Sequence, residues 1–187
     1  MNTSTNLRFE ITSDPALLSL YFALREREYL RIWGVPGLGS PDQFDESGEI
    51  VVALDAGRVV GGGRLTMSWP GWRLPMPLEG PEFELRTFLP DLDRHVYAEY
   101  SRHVVDAKSE NRMAVSHGLA LHLFRASAVR GVEIAFSISP KPTMVINRRH
   151  ARRAGVGFQE FAGAGPLVKD GIEMHLCGYT NLTAALG

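Results

Sequence analysis

The stretch Tyr97–Asp106 reads YAEYSRHVVD. With Val96 it makes a run rich in aromatic and β-branched residues, and the pattern predicts a strand over Val96–Val105. Glu99, Ser101 and Arg102 fall inside that run. A carboxylate, a hydroxyl and a guanidinium within four residues do not fill an ordinary sheet interior. Such a strand is either half wetted or lines a site. Strict alternation places Glu99 and Ser101 on one face and Arg102 on the other.

Upstream, Glu49–Leu54 (EIVVAL) and Arg58–Leu65 (RVVGGGRL) flank the turn Asp55-Ala56-Gly57 and read as a hairpin. Gly61, Gly62 and Gly63 weaken its second strand unless a backbone or ligand approaches closely there, or the strand bulges. Ser68–Pro90 is a long excursion without a period, of the length that functional loops have. Further back, Asp14-Pro15 caps and starts a helix. Leu17, Leu18, Tyr21 and Leu24 continue it and the charged run Arg25–Arg31 extends it, before Gly34–Pro41 (GVPGLGSP) breaks it.

Downstream, Asn111–Arg130 is predicted helical, with Val115, Leu119 and Leu123 on one face, and Gly131 ends it. Val132–Ser139 reads as a strand and Thr143–Ala154 as a basic helix. Phe158–Phe161 and Glu173–Gly178 are weaker strands. A helix, three antiparallel-looking strands, then helices alternating with strands give an α/β (α+β) chain. Its sheet is mixed and mostly antiparallel, with helices on both faces.

The 187 residues fit one domain, with Met1–Asn6 as a loose lead-in. A formal charge of −1 gives no general reason to expect nucleic acid. The single cysteine, Cys177, forms no internal disulfide and fits a reducing compartment. No apolar run of membrane-spanning length and no apolar leader is visible, so a cytoplasmic chain without membrane insertion is expected. There is no phosphate-binding glycine loop and no nucleophile elbow. No histidine, cysteine or carboxylate set has metal-ligand spacing, so no metal is expected.

Four pieces occur in order: Arg25, Tyr29 and Trp33; Asp42-Gln43-Phe44-Asp45; Gly62-Gly63-Arg64-Leu65; and Glu99-Tyr100-Ser101-Arg102. The series resembles the autoinducer synthases, the N-acyl-homoserine lactone synthases, whose pattern is Arg…Phe…Trp, Asp-x-x-Asp, Gly-x-Arg-Leu and Glu-x-Ser-Arg. The likeness runs from Arg25 through Arg152-Arg153-Ala154-Gly155 to the Gly/Pro element Gly163–Pro166. It implies a single-domain GNAT-like acyltransferase fold and a role in quorum sensing. The activity it implies is transfer of an acyl group from acyl carrier protein or acyl-coenzyme A to the amine of S-adenosylmethionine, followed by lactonisation. S-adenosylmethionine and the thioester are then substrates, and no cofactor is expected. Two departures lie at the amine end: Leu65 is followed by Thr66 rather than a Pro-Thr pair, and the first triad is differently spaced. Another amine, such as an amino acid, stays open beside S-adenosylmethionine, as does a ligand-binding module without catalysis.

The residues allow two readings each. An ammonium has no lone pair, so Glu99 would take a proton from the amine, directly or through one water; otherwise it is a structural carboxylate. Ser101 would bind the amine or the thioester oxygen, but lacks a histidine partner that would make it a nucleophile. Asp42 and Asp45 would hold the amine or ribose, or form a solvated turn. Arg64 and Arg102 surround the substrate in the family pattern, but pairing with Asp42 or Asp45 to pin the loop is the stronger reading of these residues. Arg25, Tyr29 and Trp33 would close over the adenosyl group, with an aromatic face on the sulfonium; otherwise Tyr29 and Trp33 belong to the core. Arg148, Arg149, Arg152 and Arg153 recur at helical steps as a docking face for an acidic carrier protein, or as a solvated face. Arg112–His117 (RMAVSH) lacks the glycines of an acetyl-coenzyme A loop. Phe136, Ile138, Met144, Ile146, Trp69 and Trp72 are candidates for the acyl pocket.

Overall fold

The computed structural model describes residues 6–71, 76, 78, 85–169 and 171–187. In chain order they form β1 (Leu7–Thr12), α1 (Pro15–Trp33), α2 (Gln43–Ser47), β2 (Glu49–Asp55), β3 (Arg58–Ser68) and α3 (Leu85–Phe88). There follow β4 (Tyr97–Val105), α4 (Arg112–Val129), β5 (Ile134–Ser139), α5 (Lys141–Arg153), β6 (Gly157–Glu160), β7 (Leu167–Lys169) and β8 (Ile172–Thr180). The strands lie in the order β1-β2-β3-β4-β5-β8-β6, with β7 on β8. Every pairing is antiparallel except β4 with β5. The sheet is thus mixed and mostly antiparallel, as the element pattern predicts.

Helices cover both faces. Alternate residues of β2 point to opposite sides: Val52 and Leu54 pack with Tyr21 and Leu24 of α1, while Val51 and Ala53 pack with Val115, Leu119 and Leu123 of α4. The glycines of β3 follow from this sandwiching. A Cβ on Gly62 would lie 2.5 Å from the Tyr21 ring, and one on Gly61 3.0 Å from Val115 and 2.9 Å from the Val104 carbonyl oxygen. Close packing of α1 and α4, rather than a ligand, excludes side chains at both positions.

Some elements differ from the sequence reading. β1 was not predicted, although Leu7, Phe9 and Ile11 alternate with polar residues. Phe9 fits over Gly118 of α4, where a Cβ would collide with its ring. The segment after the glycine loop is a short helix, not a turn. Asp42 and Asp45 form a reciprocal capping box, with Asp42 N donating to Asp45 Oδ2 and Phe44 N to Asp42 Oδ1, both at 2.9 Å. α5 starts at Lys141, because Pro142 is tolerated in a first turn.

β4 and β5 pair only over Tyr97↔Ile134, Ala98↔Ala135 and Glu99↔Phe136. Beyond Glu99 the strands part, although β4 continues to Val105 and β5 to Ser139. Among the described residues no strand covers that edge of β4. The gap opens directly beside the strand that carries the candidate residues.

Candidate active site

A bulge in β4 sets the geometry. Arg64 of β3 faces Ser101 and Gly62 faces Val104, so Arg102 and His103 together oppose Gly63. Arg102 takes φ +57°, in the left-handed region. The extra residue reverses alternation. Tyr100 donates its hydroxyl to Ser127 of α4 at 2.9 Å. Ser101 and Arg102 both reach the α1–α2 side. His103 turns back to Ser116 of α4, and Val104 packs with Tyr21. Arg102 therefore lies on the same side as Ser101, not opposite it as regular alternation predicts.

On that side three guanidiniums hold two carboxylates. Arg64 Nη1 donates to Asp42 Oδ1 at 2.6 Å and Asp45 Oδ1 at 2.9 Å, and its Nε donates to Ser101 Oγ at 3.1 Å. Arg102 Nη2 donates to Asp42 Oδ2 at 2.6 Å, and Nη1 to the Leu38 carbonyl at 2.5 Å. Arg25 grips Asp45 with both Nη atoms, at 3.0 and 2.7 Å, and donates to the carbonyls of Gly39 and Ser40. Burial opposes the charge on Asp42 and Asp45. The hydrogen bonds from Arg102 to Asp42 and from Arg25 to Asp45 outweigh it, together with the nearby guanidinium charges, and both carboxyls are held below the usual range. The network fixes the glycine loop and α2 over the end of β4.

Glu99 stands at the point where β4 and β5 separate. It is 2 % exposed, and its Oε2 accepts from Leu78 N at 2.9 Å. Burial pushes its carboxyl up to about 7. The Leu78 amide, Arg64, Ser101 and Arg102 pull in the other direction without cancelling the effect. A carboxyl titrating near neutral pH is suited to collecting a proton there.

Glu99 borders a cavity of about 1200 Å³ that passes through the gap between β4 and β5. Tyr29, Trp33, Asp42, Arg64, Ser101 and Arg102 line its end toward α1 and α2. Tyr100, Ala120, Leu123, Phe124, Ile138 and Ile146 give it an apolar wall. Of the expected site residues, Arg25 is not among those lining it: at 0 % exposure it acts behind the site, stacked on Tyr21 and Phe22. Asp45 is likewise not a lining residue. Phe136 packs with Tyr97 and Leu176, while Met144 and Trp69 face the main core, so none of the three borders the cavity. Trp72 lies outside the described residues. Arg149, Arg152 and Arg153 are exposed on α5. Arg148 is exposed too, 3.9 Å from Glu160 and over the Phe158 ring.

The structure adds residues that the sequence did not single out. Tyr100, Phe124 and Tyr179 line the cavity with their hydroxyls already engaged where they have them: Tyr179 meets Ser137 at 3.0 Å and Tyr100 meets Ser127. Among the described residues no group of three or more His, Cys, Asp or Glu is placed to hold a metal ion, and no helix is long and apolar enough to cross a membrane.

No family model matches the chain, and the search of curated proteins returned no match. Solved structures do match. MesI, a CoA-dependent acyl-homoserine lactone synthase, superposes with a TM-score of 0.63 at 19% identity, over 96% of this chain and 91% of its own. BjaI, another such synthase, solved with SAM and isopentyl-CoA, gives 0.58 at 17% identity over 93% and 82%. The fold is that of the acyl-homoserine lactone synthases. FeeM, an N-acyl amino acid synthase from uncultured soil microbes, shares it with a TM-score of 0.67 at 8% identity over 94% and 91%. This GNAT-like fold is the one that the four sequence pieces imply.

Proposed function

We propose that the chain is an N-acyltransferase that makes an N-acyl-homoserine lactone from S-adenosylmethionine and an acyl thioester. One observation carries the reading: the buried carboxyl of Glu99, pushed upward by its burial, sits where β4 and β5 part, on the wall of a cavity with a charged end and an apolar end. The thioester would lie in the gap, its acyl chain against Tyr100, Leu123, Phe124, Ile138 and Ile146. The amine would enter from the Tyr29–Trp33 end.

Ionised Glu99 accepts the ammonium proton, directly or through one water, and frees the nitrogen lone pair. The nitrogen attacks the thioester carbonyl carbon, the C–S bond breaks, and the thiol departs. In the lactone-forming reaction the carboxylate of the acylated product then displaces methylthioadenosine. Arg64 and Arg102 line the cavity, and their guanidiniums beyond the bonds to Asp42, Asp45, Ser101 and Leu38 are complementary to an α-carboxylate of the amine substrate. Tyr29 and Trp33 offer ring faces to a sulfonium. The exposed arginines of α5 suit an acidic carrier protein as donor, by steering more than by affinity.

The shared fold of FeeM supports a second reading, in which the amine is that of an amino acid and the product a plain amide. Mass spectrometry of products from the purified protein separates the two. Offered S-adenosylmethionine with acyl-carrier and acyl-coenzyme A donors, it should release acyl-homoserine lactone and methylthioadenosine. An acyl amide without methylthioadenosine would assign the second reading, and no acylated product from either amine class would refute both.

A further inference from the structure

On the α4–α5 side of the same gap stands a polar cluster that amine acylation does not use. Ser116 Oγ lies 2.9 Å from His150 Nε2 and 3.3 Å from His103 Nε2. All three residues line the cavity, next to Ala120 and Ile146. The bulge at Arg102 creates the cluster, because regular alternation would have sent His103 to the Glu99 side. His150 is 1 % exposed, and its Nδ1 is buried with no hydrogen-bond partner among the described residues. Burial pushes both His103 and His150 down to about 4, helped for His150 by His103, His117 and Arg153, so both rings are neutral near pH 7.

A neutral imidazole has one donor and one acceptor nitrogen. With the His150 proton on Nδ1, Nε2 accepts from the Ser116 hydroxyl. With the His103 proton on Nε2, that N–H is within reach of the same oxygen. A hydroxyl within hydrogen-bond reach of a neutral imidazole, facing an acyl cavity, has a base to take its proton as it attacks; the ring is held by its burial and not by a partner on Nδ1 among the described residues. Cys177, the other nucleophilic type, does not line the cavity, and burial pushes its thiol up to about 12.

We infer that Ser116, with His150 as its base, is a second acyl acceptor that discharges the thioester when no amine is in place. This rests on the acyl-thioester reading above. Ser116 Oγ attacks the thioester carbonyl carbon while its proton passes to His150 Nε2. The C–S bond breaks and the departing sulfur takes that proton, leaving an O-acyl serine and a free thiol. Water then attacks the ester carbonyl, giving its proton to His150. The C–Oγ bond breaks, and Oγ recovers the proton. The net reaction is thioester plus water to carboxylic acid plus thiol.

The test uses the full chain with octanoyl-pantetheine and no amine. Thiol release is followed by absorbance, and quenched samples by intact-protein and peptide mass spectrometry. A parallel reaction with S-adenosylmethionine measures amide formation. The wild type should release thiol without amine and carry one octanoyl group on the Ser116 peptide. Ser116→Ala should lose the adduct and lower the ratio of hydrolysis to amide formation at least tenfold. Ser116→Cys should retain the acyl group as a hydroxylamine-labile thioester. Amide formation with no adduct and unchanged thiol release in Ser116→Ala overturns the inference while leaving the acyltransferase reading intact. So does an equal fall in both reactions, which would make Ser116 only a part of the cavity wall. If the wild type forms neither amide nor thiol, the acyl-thioester reading itself fails.

Discussion

Glu99→Gln should make the protein more stable and less active, and both effects can be sized. A carboxyl held at about 7 in the fold, against its ordinary 4.5, costs about 3 kcal/mol more to ionise in the native state than in the unfolded chain. Between those two values the native state keeps a proton that the unfolded chain has lost. Stability therefore falls as pH rises from 4.5 to 7 and is level above it, as far as this group is concerned. Glutamine does not titrate, and its side-chain oxygen still accepts from Leu78 N. The variant should thus match or trail the wild type near pH 4.5 and overtake it as pH rises, the gap growing by up to about 3 kcal/mol by pH 8. Urea unfolding of both proteins from pH 4.5 to 8.5 isolates this contribution from all groups they share. Turnover should drop roughly 10²- to 10⁴-fold with loss of the base. Wild-type kcat/KM should climb tenfold per pH unit below about 7 and then level off. A stability difference that does not change with pH, or turnover that survives the substitution, would refute the assignment of Glu99.

Asp45→Asn removes the carboxylate shared by Arg25 and Arg64 and should cost about 3–5 kcal/mol at pH 7, measured by urea unfolding. Because its carboxyl is held below the usual range, that contribution is full above the unfolded value of 3.8 and fades as pH falls below it, so the variant and the wild type should converge in acid. Arg149→Glu combined with Arg153→Glu should weaken turnover with an acyl carrier protein and flatten its salt dependence while sparing acyl-pantetheine. Equal effects on both donors would remove α5 as a docking face.

The legible parts were those in which spacing and contact coincide. Arg64, Asp42, Asp45 and Glu99-Tyr100-Ser101-Arg102 could be grouped because they match the ordered pieces of one family pattern, and charge pairing between Arg64 or Arg102 and the two aspartates follows from chemistry alone. The face of Arg102 could not be read, since an arginine at positive φ carries no sequence signal and strict alternation is the default. The residues expected in the acyl pocket divide for a related reason: Ile138 and Ile146 line the cavity, and Phe136, Met144 and Trp69 do not. Phe136 and Ile138 are two residues apart on β5, but Phe136 is on the last rung shared with β4 and Ile138 lies beyond it. Where a ladder stops is a tertiary fact. His103, Ser116 and His150 come from three elements, and no local pattern links them. The alternation in Leu7–Thr12, by contrast, was available and predicts β1.

The short β4–β5 ladder has a consequence for how the molecule holds together. Three rungs join β4 to β5, where the set β1 to β4 meets the set β5-β8-β6, although one core with α4 spans both. Local opening should follow that division, with the amides of Tyr100–His103 and Ser137–Ser139 exchanging with solvent before those of β2 and β3. A thioester arm lying between the strands would offer amides to both edges and act as the missing strand. On this view substrate completes the pairing between the two sets of strands and steadies their facing edges while it is bound.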